Sequence, residues 1–299
     1  MNTKTILYAV LAVTLTACSS DSDPQDIGGR EIQLFTQVDG VTRAPDVAAD
    51  LQDLQFKNGT KISVKVKEDA ATPSVDYALA LYTADGSGGL SLPTGEKQYY
   101  PANGNGVNIY AYHPAGAVSV FEVKTDQSST DNYVASDLMY ASLAGVTSAS
   151  TNHTLEFSHL LSKIIVQLVQ GSSVSATDMA AATITVGSDD LITSGTFTAA
   201  SGTFSPDASG TGTITIATNA DTDAHAASIV PQGMGGKKIN VTINDVTKSY
   251  TIADGVTFQA GYKYTYIISV GATELTLVST QITNWNDASG NTSTGQLEI

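Results

Sequence analysis

The sequence predicts an all-β chain of antiparallel sandwiches. Three observations carry that expectation: apolar residues recur at every second position almost throughout, turn-forming clusters break the chain at short intervals, and no helical periodicity is interleaved between the alternating runs. At 299 residues the chain is long enough for two domains, each with its own core.

The elements follow in order. Glu31 to Val38 alternates, with Ile32, Leu34, Thr36 and Val38 on one face. Lys61 to Lys67 puts Ile62, Val64 and Val66 inward, and its lysines form an ordinary solvent face. Val107 to Tyr112 and Leu155 to Phe157 continue the pattern. Later strands are expected over Lys163–Val169, Thr183–Val186, Gly195–Thr198, Gly212–Ala217, Ile239–Ile243, Lys263–Val270 and Glu274–Ile282. Turn signals lie at Asp85–Gly89, Asn103–Gly106, Gly233–Gly236 and Asp254-Gly255. The one helical patch expected is Ser136 to Leu143. A boundary falls near Gly171 to Ala182, where a long strand runs into a Gly/Ser/Ala-rich stretch, giving an N-terminal domain over 44–172 and a C-terminal domain over 173–299. There is no fixed-period repeat, which excludes a solenoid.

The N-terminus reads as an address. Lys4 supplies a positive start and Ile6 to Leu15 a short apolar run, too short to span a bilayer as a helix. Leu15-Thr16-Ala17-Cys18 then reads as a bacterial lipobox, which makes residues 1–17 a signal peptide and Cys18 the lipidation site. Cys18 is the single Cys, so the chain forms no internal disulfide. Residues 18–43 hold a polar acidic tether, Ser19 to Asp23, and the first strand. The formal charge of −15 argues against nucleic acid and anionic lipid surfaces as partners.

Residues that could carry chemistry do not assemble into a pattern. His113, His153, His159 and His225 are not spaced as metal ligands, and no Cys joins them. His159, in the apolar run Leu155 to Val169, reads as a hydrogen-bonded core or strand-end residue. Asp189-Asp190 and Asp221/Asp223 lack the alternating ligands, Gly and Glu of a calcium loop. No pair of acids is singled out for glycoside hydrolysis, and there is no Gly-x-Ser-x-Gly elbow or phosphate-binding loop. No catalytic residue, metal site or cofactor is expected. Alternating tyrosines at Tyr262, Tyr264 and Tyr266 read as a cross-strand ladder, with a sugar-stacking platform as the sharper alternative.

The two arginines stand out. Arg30 and Arg43 both lie in the first 43 residues, so an Arg-specific protease could cut only near the front. Arg43 follows a complete amphipathic strand and a turn, and Arg43–Ala44 is an ordinary secondary amide, since Pro45 lies one residue further on. The strand followed by Thr42-Arg43-Ala44 resembles the maturation site of the Bacteroidales fimbrillin family, the type V pilins. Further matches are Tyr99-Tyr100-Pro101, Ile109 to Pro114, Leu155 to Ile164, Val230-Pro231-Gln232, Ala260 to Tyr266 and Ile282 to Asn286. With the lipobox they run nearly the length of the chain in the family's order. The acidic stretch behind Cys18 is similar to the surface-export signal of Bacteroidetes lipoproteins.

The resemblance implies two transthyretin-like β-sandwiches in tandem and export as a lipoprotein to the outer membrane, anchored in lipid through Cys18. It further implies Arg-directed removal of the first strand and strand exchange with other pilin subunits in a fimbrium that serves adhesion. The removable strand would be an edge strand contributing Ile32, Leu34, Thr36 and Val38. The candidate donor is the tail Thr294 to Ile299, through Leu297 and Ile299, with Glu274–Ile282 as a further contributor. Partners implied are other subunits, an Arg-specific protease and a host glycan or protein ligand. The alternative is a surface lipoprotein that binds ligands without polymerising.

Overall fold

The structure is a computed structural model and describes residues 29–38, 56–116, 118–150, 152–172, 174–219 and 224–285. The chain is all-β. Its strands are β1 (Leu34–Val38), β2 (Lys61–Glu68), β3 (Ala80–Ala84), β4 (Gly89–Ser91), β5 (Val107–His113) and β6 (Val120–Glu122). A short helix α1 (Thr130–Ala135) precedes β7 (Met139–Val146), β8 (His153–His159) and β9 (Ser162–Gln170). After α2 (Ala176–Ala180) come β10 (Thr183–Thr198), β11 (Thr203–Thr215), β12 (Ala217–Asn219), β13 (Ala224–Ile229) and β14 (Gln232–Gly233). The chain continues through β15 (Lys238–Ile243), β16 (Val246–Thr251), β17 (Thr257–Phe258), β18 (Tyr262–Val270) and β19 (Leu275–Asn284).

The first unit is a closed barrel in the order β1-β4-β3-β2-β5-β7-β8. Alternation builds its interior: Ile62, Val64 and Val66 of β2 face Ile109 and Ala111 of β5, Met139 and Ala141 of β7, and Leu155 and Phe157 of β8. Phe56 fills the middle, edge-on to Phe157 at 4.9 Å between ring centres. The expected edge position of the first strand is corrected, because β1 is bonded on both sides, by β4 and by β8.

The second unit is a sandwich. One sheet runs β11-β10-β15-β16 and the other β12-β13-β9-β18-β19. Ile184 and Val186 of β10 and Ile239 and Val241 of β15 pack across from Ile164 and Val166 of β9 and Tyr264, Tyr266 and Ile268 of β18. β9 therefore belongs to the second core. The strand run Lys163–Val169, expected to end the first domain, pairs antiparallel with β13 and parallel with β18, so pairing changes over between β8 and β9. The reason lies in its pattern: Ile164 and Val166 present an apolar face that the barrel, already closed by β1, has no edge to accept.

The helical patch expected over Ser136–Leu143 is corrected as well. Ser129 caps α1 by accepting from the Asn132 amide, and the helix ends at Ala135. Met139 and Ala141 then alternate inward on β7, in register with His113 and Ala111 of β5.

Segments from the first half of the chain tie the units together. β6 joins β10 antiparallel, and Phe121 and Val123 enter the second core. Tyr112 of β5 meets Phe197 of β10 edge-on at 5.2 Å. The buried Gln127 amide behaves like an extra backbone unit, donating to the Ser228 carbonyl at 2.9 Å and accepting from the Ser228 amide at 2.8 Å. At the β10–β11 turn, Gly202 lies so flat on Tyr140 of β7 that an added Cβ would come within 2.3 Å of the ring.

Candidate functional site

The residues that close the barrel form the site of interest. β1 pairs parallel with β8 over five positions, from Leu34 opposite His153 to Val38 opposite Phe157. On its other side Leu34 and Phe35 pair antiparallel with Leu90 and Gly89 of β4. Ahead of β1 the Ile32 amide donates to the Gln98 carbonyl at 2.8 Å, and the Arg30 carbonyl accepts from the Tyr100 amide at 3.1 Å. Ile32, Leu34, Thr36 and Val38 all point into the barrel, exposed by 4%, 2%, 7% and 0%. Gln33, Phe35 and Gln37 point outward. The strand acts as a stave, and the slot it fills has a backbone ladder on each wall.

Thr36 is the one polar member of the inward row. Its amide and its Oγ1 hydroxyl both donate to the Gly88 carbonyl, at 2.6 and 3.3 Å. Gly88 has φ +97°, a left-handed conformation that favours glycine, and a Cβ there would stand 3.2 Å from the Thr36 carbonyl oxygen. The turn is braced from within, since Asp85 Oδ1 accepts from the Ser87 amide at 2.6 Å and the Gly89 amide at 2.9 Å. Sequence marks Asp85–Gly89 as a turn but carries no sign that it lies against β1.

The rim at the start of β1 holds titratable groups. The Tyr100 hydroxyl bonds His153 Nε2, and burial pushes the Tyr100 phenol up and the His153 imidazole down from their ordinary values. Lys97 pairs with Glu31, and the bond to that carboxylate raises the Lys97 pKa. Glu68, at the end of β2, is nearly inaccessible and takes five donors: Ser74 through its amide and hydroxyl, the Val75 amide, and the side-chain amides of Asn103 and Asn105. The Ser74 and Asn103 side chains hold its carboxyl down at about 2.

At the junction of the units the His159 Nδ1 donates to Asp137 Oδ1 at 2.8 Å, and its ring stacks on Trp285 at 3.7 Å. The Lys163 ammonium lies 5.2 Å from the Trp285 ring centre and 5.7 Å from that of Tyr133. His113 Nδ1 donates to the Asp137 carbonyl at 3.0 Å, and burial pushes its imidazole below the ordinary value. His159 thus closes β8 as a buried, hydrogen-bonded strand-end residue.

Other sequence expectations fall elsewhere. Cys18, Arg43, Ala44, Leu297, Ile299 and Asp221/Asp223 lie outside the described residues. Glu274–Ile282 lies largely within β19, which pairs with β18 through nine register positions. Tyr264 and Tyr266 are buried in the second core, Tyr264 stacked on Phe258 at 3.9 Å, so neither ring is open to stack on a sugar, while Tyr262 is half-buried. Asp190 pairs with Lys237 at 2.9 Å.

A closed barrel followed by a two-sheet sandwich, with β1 seated between the ladders of β4 and β8, defines the class of protein by its fold. The family model for fimbrillin-like proteins matches residues 42–285, and the chain belongs to that family. Among solved structures, a Bacteroides uniformis protein assigned to cell adhesion is 19% identical with TM-score 0.68, covering 85% of this chain and 98% of its own. A Bacteroides ovatus protein assigned likewise is 17% identical with TM-score 0.67, covering 85% and 97%. A fimbrial protein of Bacteroides ovatus is 17% identical with TM-score 0.51, covering 82% of this chain and 49% of its own. Comparison with curated proteins finds no match to this chain.

Proposed function

We propose that this chain is a structural, non-enzymatic subunit of a cell-surface fimbria that polymerises by strand exchange and serves adhesion. It is exported as a lipoprotein acylated at Cys18, anchored in the outer membrane, and trimmed between Arg43 and Ala44 by an Arg-specific protease. Trimming frees β1, and a strand from another subunit replaces it; Leu297 and Ile299 are the candidate donor residues of this chain.

The observation that carries the reading is the placement of β1 between β4 and β8. Removing it turns a closed barrel into an open one with two raw edges, each a row of unpaired amides and carbonyls. It also uncovers the pockets of Ile32, Leu34 and Val38. Burying three such side chains is worth roughly 5–9 kcal/mol at ~1.5–3 kcal/mol each, comparable with the ~5–15 kcal/mol that stabilises a whole domain. An emptied slot is therefore strongly driven to refill. The family match supports the same division, since it begins at residue 42, after β1.

The test is N-terminal sequencing of protein recovered from cell surfaces, together with assembly of Arg43→Ala. Mature subunits should begin at Ala44 and form ladders on gels, while Arg43→Ala stays monomeric. Assembly of Arg43→Ala at the wild-type rate would sink the maturation step. Surface protein that begins at Cys18, stays monomeric and binds host glycan or protein would instead mark a non-polymerising adhesin.

A further inference from the structure

Alternation alone gives a replacing strand several registers two residues apart, each of which keeps apolar side chains inward. The slot resolves that degeneracy at one point. Along β1 the β4 ladder covers only Leu34 and Phe35, and the β4-side contact ends where the Gly88 carbonyl takes both donors of Thr36. Beyond it Gln37 and Val38 are bonded by β8.

We propose that the Gly88 carbonyl sets the register of whatever strand occupies the slot. It does so by accepting a hydroxyl from a Thr or Ser at the position of Thr36, with large aliphatic residues at the positions of Ile32, Leu34 and Val38. The occupant is an extended segment of a second, different subunit with that pattern, running parallel to β8. The tail through Leu297 and Ile299, whose alternate row is Ser293, Gly295, Leu297 and Ile299, lacks it and would serve another subunit's slot. The inference rests on the strand-exchange reading and names the chemistry of its partner segment.

Two features make the turn a selective wall rather than a soft one. Gly88 approaches the β1 backbone to the limit of ordinary contact, since even a Cβ would lie 3.2 Å from the Thr36 carbonyl oxygen. The turn has little room to retreat: the Asp85 amide donates to the Gly89 carbonyl at 3.0 Å, and a Cβ on Gly89 would meet Asp85 Oδ2 at 2.4 Å. A slip of two residues brings Leu34 or Val38 to this point. Either slip forfeits the hydroxyl bond, and Leu34 also places a bulkier side chain in a space fitted to Thr.

The test uses the full chain cleaved after Arg43, in which residues 31–38 have no covalent link to the body and are free to be exchanged. Labelled peptides covering residues 29–40 compete for the slot, carrying Thr36 or the changes Thr36→Ser, Thr36→Val and Thr36→Leu. The Thr and Ser peptides should enter alike. The Val peptide, which keeps the shape and lacks the hydroxyl, should bind more weakly, and the Leu peptide should bind at least about tenfold more weakly. A Val peptide that binds as well as Thr overturns the role of the hydroxyl. Equal entry of the Leu and Thr peptides overturns the register rule and leaves strand exchange standing. Failure of even the Thr peptide to enter sinks both. In the intact chain Thr36→Leu should lower the melting temperature despite its greater apolarity while Thr36→Ser leaves it nearly unchanged; a rise with Leu also overturns the proposal.

Discussion

Replacing Leu34 by Ala probes the closure of the barrel most directly. Leu34 is 2% exposed, opposite Leu90 on one side and His153 on the other, inside a core that also holds Ile32, Val64 and Leu155. Truncation at such a site removes transfer free energy and leaves a cavity, and the usual cost is ~2–5 kcal/mol. The upper half of that range is expected, because β1 is held between two ladders and cannot collapse freely into the hole. Urea unfolding of the intact chain should show the loss as a lower midpoint with unchanged slope. Phe35→Ala provides the control: Phe35 shares the strand and its hydrogen bonds, but its side chain faces outward and is 37% exposed. It should cost under ~1 kcal/mol, as surface changes do. Hydrogen exchange at the β4 and β8 amides that meet β1 should quicken in Leu34→Ala and stay slow in Phe35→Ala. A Leu34→Ala loss no larger than that of Phe35→Ala would refute the reading of β1 as an integral stave.

Further predictions concern the supports around it. Trp285→Ala removes the ring stacked on His159 and lying beside Lys163, and should cost ~3–5 kcal/mol in the same unfolding assay. Glu68, whose folded-state pKa is depressed from 4.5 to about 2, contributes stability that is present above pH 4.5 and is lost as pH falls toward 2; Glu68→Gln should flatten the stability curve in that window. His113 is also depressed, from 6.5, while facing the Asp137 carbonyl and carboxylate, His159 and the Phe56 ring. Because the fold holds it neutral, stability should be intact above pH 6.5 and decline below it, and His113→Gln should remove part of that decline in acid titration by circular dichroism. Gly202→Ala forces a Cβ against Tyr140 at φ +66° and should lower stability by ~1–3 kcal/mol in thermal unfolding.

What was legible in the sequence follows from what alternation encodes. A period of two states which side chains face inward, so Ile32, Leu34, Thr36 and Val38, and Ile62, Val64 and Val66, could be assigned to a core from residue types alone. The same pattern is silent about neighbours. Nothing in Glu31–Val38 announces a parallel partner in His153–Phe157, and so an internal stave was expected to be an edge. The placement of β9 is illegible for the same reason: the alternation of Ile164 and Val166 names an inward face but no partner, and only the pairings with β13 and β18 put it in the second core. The three-residue strands β4 and β6 are too short for a period to emerge. Met139–Val146 hid behind a helix-like start that belongs to α1, six residues upstream of the expected patch. The motif residues His159, Lys163 and Trp285 were each visible in isolation, but their convergence on one buried stack depends on a chain path that brings distant segments together.

The parallel pairing of β1 with β8 bears on how such a molecule would respond to pulling. Two strands that run in the same direction and are drawn from opposite ends slide along one another, so their bonds must yield together, whereas strands drawn apart at the same end unzip one bond after another. With a second row of bonds and contacts on the β4 side, traction along this segment is shared across both flanks at once. A join made in that slot would be slow to part under tension even where its equilibrium affinity is modest.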